Sequence, residues 1–492
     1  MGTFPFHLLN GSFSFPSPFI KKIKGVRCEK MKKMRKRIAV LLSTLLMAAG
    51  VLSGCGKSDS SGNEENGKVV TIKAQTIGAE LTRVENLKKA AEKLNQELKE
   101  QGKDIQVKVE TSSFDGGTDE YAKQFMLAFR SKKAPDIYTT GHENIGWLAD
   151  GNYILPLDEL KQSKAYADVF PSLWESVTYK GRIWGALQDT EARPVFYNKD
   201  VLRKLGWSEE EINSLPEKVK NGEFTLADMT KVAEEAVKKG LVPYGIIHRP
   251  VEGPDFHVMV YNFGGTLYDP KENKIVLDKT AVKKQLDYYD EIAQKKLIPK
   301  NLTQMEWSNI HKTVVNGKAL FYYGGIWNVF NWAQDNFHEK LGKVDEKWVN
   351  EHLGMMLIPA AEKGGKPITL SHPFVYTVSA QTKHPELVKR LLELVADPAL
   401  QAKHDVETFH LPVTENVLDH PTFQANQTLK NVAYMSEYTT FLPNHNGFPQ
   451  YSKAVFNAIQ AVELGKKTPE QALKDLETQL KNDLGDQLKI VE

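Results

Sequence analysis

Apolar residues recur along this chain with two alternating periods. Residues 69–74 (VVTIKA) read as a strand, and Val84, Leu87, Ala91, Leu94 and Leu98 then follow at steps of three and four, the stripe of an amphipathic helix. Residues 105–109 (IQVKV) alternate as a strand, Tyr121 to Phe129 reads as a helix, and residues 135–138 (PDIY) as the next strand. This strand–helix–strand–helix–strand opening predicts a parallel sheet covered by helices. Further on, residues 385–396 (PELVKRLLELVA) form a helical pattern with proline in its first turn. Thr468-Pro469-Glu470-Gln471 supplies a capping hydroxyl, an N1 proline and a capping-box glutamine ahead of the stripe Leu473, Leu476, Leu480 and Leu484. Internal repeats are absent, and one α/β pattern runs from about residue 68 to the end.

The most apolar stretch stands outside this pattern. Residues 38–52 (IAVLLSTLLMAAGVL) are short for a membrane span, which needs about 20 residues, and follow the basic run MKKMRKR that opens at Met31. That is the layout of an export signal. It ends in Leu52-Ser53-Gly54-Cys55, which resembles the lipobox of bacterial lipoproteins. The reading predicts a signal peptide over 31–54, cleavage before Cys55, and a lipid on its thiol, with each buried methylene contributing about 0.8 kcal/mol of anchoring. Residues 1–30, rich in Phe and Pro, have no place in this scheme, so translation is expected to start at Met31. Residues 55–67 are rich in Gly, Ser, Asn and Glu and read as a flexible tether.

Charge sharpens this division. The chain of 492 residues has a formal charge of +2, but ten of its basic residues and only one acidic residue lie before Cys55. From Cys55 onward 54 basic residues face 61 acidic ones, a net −7, which gives no reason to expect a nucleic-acid partner. The two cysteines, Cys28 and Cys55, both precede the folded body, so it has no thiol nucleophile. The start of a zinc-protease HExxH at His142-Glu143 fails at Gly146, and the one at His338-Glu339 fails at Gly342. Histidines are otherwise scattered, and neither a metal nor a cofactor is expected. All eight tryptophans lie in the body, where rigid aromatic faces suit stacking on sugar rings beside carboxylates and amides.

Several short motifs occur in a fixed order. Ala134-Pro135-Asp136-Ile137 precedes Trp147-Leu148-Ala149-Asp150-Gly151 and Leu155-Pro156-Leu157-Asp158. Lys180-Gly181-Arg182-Ile183-Trp184-Gly185 and Phe196-Tyr197-Asn198-Lys199-Asp200 come next, then Phe263-Gly264-Gly265, Asn316-Gly317-Lys318-Ala319, Gly324-Gly325-Ile326-Trp327 and Gly465-Lys466-Lys467-Thr468-Pro469. Over about 400 residues this order resembles the extracellular family 1 substrate-binding proteins of bacterial ABC importers, the group that includes maltose-binding protein. The resemblance implies a type II periplasmic-binding-protein-like α/β fold: two lobes with mostly parallel sheets, joined by a hinge and closing on a ligand. Lobe 1 is expected over 68–190 plus 370–435, and lobe 2 over 191–369 plus 436–492.

Carried over position by position, the resemblance implies ligand contacts at Glu143 and Asn144, Glu191, Glu252, Asp255, Phe256, Trp327 and Tyr451. Tyr197 and Asn198 read instead as structural, with Asn198 a helix cap. Expected partners are a carbohydrate or a polyol such as inositol, the transmembrane permease subunits, and the membrane through the N-terminal lipid, with the chain a monomer that performs no catalysis. The competing readings are a lipid-anchored enzyme acting on glycans and a receptor for a peptide or another non-sugar solute.

Overall fold

The computed structural model describes residues 68–78 and 81–492. The upstream extension, the signal peptide, Cys55 and the tether all fall outside these residues. Val70, Ile72 and Ala74 point inward while Val69, Thr71 and Lys73 face solvent, so the first alternating run closes as β1 (Lys68–Ile77). The remaining strands of the two large sheets, numbered in chain order, are β2 (Ile105–Phe114), β3 (Ile137–Gly141), β4 (Ala186–Leu187), β5 (Val195–Asn198), β6 (Tyr244–Ile247), β7 (Ala319–Tyr323), β8 (Leu353–Met356) and β9 (Phe374–Val378).

The first sheet has the order β2-β1-β3-β9-β4. β1 runs parallel to both β2 and β3, as the opening pattern predicts, while β9 returns antiparallel between β3 and β4. The predicted stripe Val84, Leu87, Ala91, Leu94 and Leu98 is the buried face of helix Thr82–Glu100. Helix Pro385–Val395 lies beside it, with Arg390 reaching Glu97 at 2.5 Å.

The second sheet has the order β8-β5-β7-β6, with β7 parallel to β6 and antiparallel to β5. Asn198 ends β5 and caps helix Lys199–Leu205, its side-chain oxygen accepting from the Val201 N–H at 3.0 Å, which is the structural role expected of it. Helix Pro469–Leu484 starts with the capping box at Thr468 and Gln471, and strand Leu488–Val491 then pairs with Lys274–Asp278.

Apolar burial falls into two large clusters, one under each sheet, plus a small aromatic one around Tyr121, Phe125 and Tyr138. The segments passing between the large clusters lie side by side. Thr190 bridges to Leu411, Thr369–Leu370 runs parallel to Thr439–Thr440, and the Arg193 N–H donates to Thr369 Oγ1 at 2.8 Å. Phe409 takes a left-handed conformation (φ 60°) at the end of helix Pro398–Thr408, turning His410 and Leu411 onto this crossing.

The expected return segment, 370–435, meets both apolar clusters. Residues 374–396 and Val413 do pack under the first sheet, but Ala402, Phe409, Leu411, Val417, Phe423, Leu429, Val432 and Met435 join the second cluster. The place beside β3 is already filled by β9, and the helices after residue 397 add no strand to the first sheet. Periodicity shows that a helix has an apolar face without showing which core covers it. Among the described residues no helix is long and apolar enough to cross a membrane.

Asp405, within helix Pro398–Thr408, is fully buried, and neither carboxyl oxygen has a hydrogen-bond partner. Burial, with the nearby Asp189 charge adding to it, pushes this carboxyl well above the usual carboxylate range, so it is neutral in the folded chain. The folded state thus binds a proton that the unfolded state releases above about pH 4, and stability falls as pH rises through that window. Asp405→Asn should therefore raise the melting temperature at neutral pH by about 2 °C, with the gain vanishing near pH 4; equal gains at both pH values in a thermal melt would contradict the assignment.

Candidate ligand-binding cleft

Loops at the strand ends of both sheets meet at one place. β3 ends at Gly141 and passes through the single turn His142–Asn144 into helix Ile145–Asp150, which sets Glu143 and Asn144 at the carboxyl edge of the first sheet. Carboxyl edges of parallel strands are where open α/β sheets place their ligands. From the other side, the loop after β6 brings Arg249 and Glu252, the first turn of helix Pro254–Asn262 brings Asp255, and the loop after β7 brings Gly324, Gly325 and Trp327. A side chain at Gly325 would collide with the Trp327 ring, so glycine there lets the indole fold back over its own loop. The cleft has a volume of about 960 Å³.

Its charges are paired within the protein. Arg193 bridges Glu191 at 2.6 Å and Asp255 at 2.5 Å, and Arg249 reaches the other oxygen of Asp255 at 3.0 Å. Lys453 lies 3.7 Å from Glu252, and His372 Nε2 lies 2.7 Å from Glu143. Arg83 pairs with Asp189, which also meets His404 at 2.7 Å. Burial alone would raise the Asp255 carboxyl, but the two guanidinium groups hold it below the usual range. Glu191 has a different balance, and burial outweighs Arg193 to leave its carboxyl raised. Counting Asp189 as the partner of Arg83, five acidic side chains face four Arg or Lys side chains and His372, whose imidazole burial lowers but the Glu143 carboxylate raises above its ordinary range, so the paired cleft carries no net charge. The aromatic surfaces come from Trp327, with the Arg193 guanidinium 4.6 Å from its centroid, and from Trp307, which remains 38% exposed beside Arg249.

Of the eight residues expected to contact ligand, Glu143, Asn144, Glu191, Glu252, Asp255 and Trp327 line this cleft together. Phe256 and Tyr451 do not. Phe256 follows Asp255 on helix Pro254–Asn262 and turns into the core among His248, Tyr289 and Phe456. Tyr451 is buried against Phe448 and His257, while its neighbours Ser452 and Lys453 take the cleft positions. In both cases one step along a helix, about 100°, moves a side chain from the cleft face to the core face. Sequence reasoning missed Arg193, Arg249, Trp307, His372 and His410. The alternation Asp189, Glu191, Arg193 was a usable sign, because three charges on one side of an extended segment require partners if buried. Contrary to the expectation that histidines and carboxylates do not cluster, the fold gathers His142, Glu143 and His372 within 4.8 Å of one another.

Residues 78–402 match the bacterial extracellular solute-binding protein family. The chain belongs to this family. It is similar to the maltodextrin-binding protein MdxE of Bacillus subtilis, at 21% identity over 92% of this chain and 99% of the relative. The galactooligosaccharide-binding protein of the same organism is 23% identical over 90% of this chain and 96% of the relative. The sugar-binding protein MalE of Xanthomonas citri aligns in three dimensions with a TM-score of 0.69, at 20% identity over 84% of this chain and 97% of that one. These likenesses fix the fold as that of the MalE-like type II binding proteins. The relatives are binding proteins of ABC transporters and not enzymes, as the sequence reading expects.

In this solute-binding protein Arg193 is the cation on which two buried carboxylates depend. Arg193→Ala leaves Glu191 and Asp255 short of a partner, and urea denaturation should show a loss of about 3–5 kcal/mol. A loss below about 1 kcal/mol, the value of an exposed pair, would contradict this reading.

Proposed function

We propose that this chain is the lipid-anchored receptor of an ABC importer, capturing a neutral oligosaccharide by closure of its two lobes and presenting it to the membrane permease. The observation that carries the reading is the cleft itself: about 960 Å³ lined from both cores, with two tryptophans and with charges already neutralised in pairs. Paired carboxylates and guanidinium groups retain lone pairs and N–H groups for hydroxyls but leave no unmatched charge for an ionic solute. The volume lies near the top of the ordinary range of about 300–1,000 Å³ for small-molecule sites, which favours several sugar rings over one ring or a small polyol such as inositol. Relatives named for maltodextrin and galactooligosaccharide binding support the same class. The lipobox ending at Cys55 supports anchoring on the outer side of the cell membrane.

Differential contact with the two lobes is what makes such a ligand favour the closed form. Glu143 and Asn144 belong to the first lobe and Glu252, Asp255 and Trp327 to the second, while Glu191 sits on the crossing segment. A screen of mono-saccharides, oligosaccharides and polyols by thermal shift should find an oligosaccharide that raises the melting temperature, because a ligand that binds only the folded form stabilises it. That ligand should also change intrinsic fluorescence. Trp327→Ala should abolish the fluorescence change and weaken binding at least about tenfold; unchanged affinity would remove Trp327 from the site, and turnover of the glycan by the pure protein would favour the enzyme reading.

A further inference from the structure

Antiparallel pairing of β3 with β9 places Phe374 opposite Gly141, and the His142 N–H donates to the Pro373 carbonyl at 3.0 Å. The same register sets His142 and Glu143, just past the end of one strand, against His372, just before the start of the other. One ring nitrogen of each histidine and a carboxylate oxygen of Glu143 all lie within 4.8 Å of one another. The separations are 2.7 Å from His372 Nε2 to Glu143 Oε2 and 3.8 Å from His142 Nδ1 to the same oxygen.

The orientation of His142 makes this more than an ion pair. Its ring is fully buried, and Nε2 lies 3.3 Å from the Leu442 carbonyl, an oxygen that can only accept. Nε2 is therefore the protonated nitrogen, and Nδ1 presents its lone pair. Nδ1 has no hydrogen-bond partner, and it faces a carboxylate oxygen that is likewise an acceptor. Two buried acceptors facing each other with no proton between them are repulsive, and a cation removes the conflict. Donation from a ligating imidazole to a backbone carbonyl is also how proteins orient histidine toward a metal. Gly141 supplies the room, since a side chain there would collide with both Glu143 Oε2 and the His372 ring.

We propose that His142, Glu143 and His372 form a binding site for a divalent transition-metal cation of the zinc type, opening on the ligand cleft. Two imidazole nitrogens and one carboxylate oxygen are a donor set that suits Zn²⁺ and is poor for Ca²⁺ or Mg²⁺, which take oxygen ligands. Three protein ligands leave a coordination position free, and Glu143 and His372 both line the cleft, so that position faces the solute. Bound metal would replace the proton now shared by Glu143 and His372. The site uses residues of the first sheet's edge alone and does not depend on which solute fills the cleft.

The test is titration of the purified protein with ZnCl₂, and with CaCl₂ in parallel, by calorimetry after treatment with chelator. One Zn²⁺ per chain should bind at micromolar or lower concentration without comparable Ca²⁺ binding, and His372→Ala should weaken it at least about 100-fold. Because His142 is buried, His142→Ala is read together with zinc-edge X-ray absorption of the unaltered protein, which should report two imidazoles in the first coordination shell. Absence of Zn²⁺ binding, binding indifferent to His372→Ala, or a spectrum without imidazole scattering each overturns the proposal. Sugar affinity is measured separately, so failure of the metal site leaves the solute-binding reading standing.

Discussion

A short extended segment between β4 and β5 governs how this molecule is put together. Residues 188–194 carry the chain from one core to the other, and Asp189, Glu191 and Arg193 are all buried there at steps of two. Each would be costly to bury alone, so each must find an opposite charge or a donor. Asp189 takes Arg83 and His404, whereas Arg193 takes Glu191 of the same segment and Asp255 of the second lobe. The crossing is thereby tied to helix Thr82–Glu100 of the first lobe and to the first turn of helix Pro254–Asn262 of the second. Even-numbered neighbours do different work: Ala192 packs in the second core and Thr190 bridges to Leu411. The demand for charge neutralisation and the shape of the cleft are thus one constraint, because the side chains that satisfy the first also line the second.

Local order was legible from the residues, and long-range order was legible only through the resemblance. Stripes such as Val84 to Leu98, and the capping box at Thr468, specify helices through interactions spanning three or four residues. Parallel pairing of β1 with β2 and β3 follows from the helices between them. The antiparallel entry of β9, which comes from more than 200 residues later, has no local signature. It is also the pairing that brings His372 to His142 and Glu143, so this cluster was invisible where HExxH spacing was sought. For the same reason the sequence does not show which apolar cluster each helix after residue 397 joins.

Site residues divide along a similar line. Positions following strand ends, such as Glu143, Glu191 and Trp327, are placed by sheet topology, and motif order was enough to locate them. Phe256 and Tyr451 sit on helices, where one residue is a third of a turn, and a register error of one position exchanges cleft for core. Arg193 and Arg249 carry no motif, and their presence follows from the carboxylates that need them. Trp307 was conspicuous only as one tryptophan among eight, until the fold left it exposed at the mouth of the cleft.

The central claim is that a solute bound between the lobes draws them together. It is tested most directly by the distance between Lys123, in helix Thr118–Arg130 of the first lobe, and Ser308, in helix Trp307–Val315 of the second, both exposed next to cleft residues. The folded body has no native cysteine. Spin labels on Lys123→Cys and Ser308→Cys can therefore report a distance distribution by pulsed electron resonance, with and without a saturating oligosaccharide that the protein binds. The account predicts a distribution that shifts several ångströms shorter and narrows when ligand is added. A distribution unchanged at saturation would contradict it.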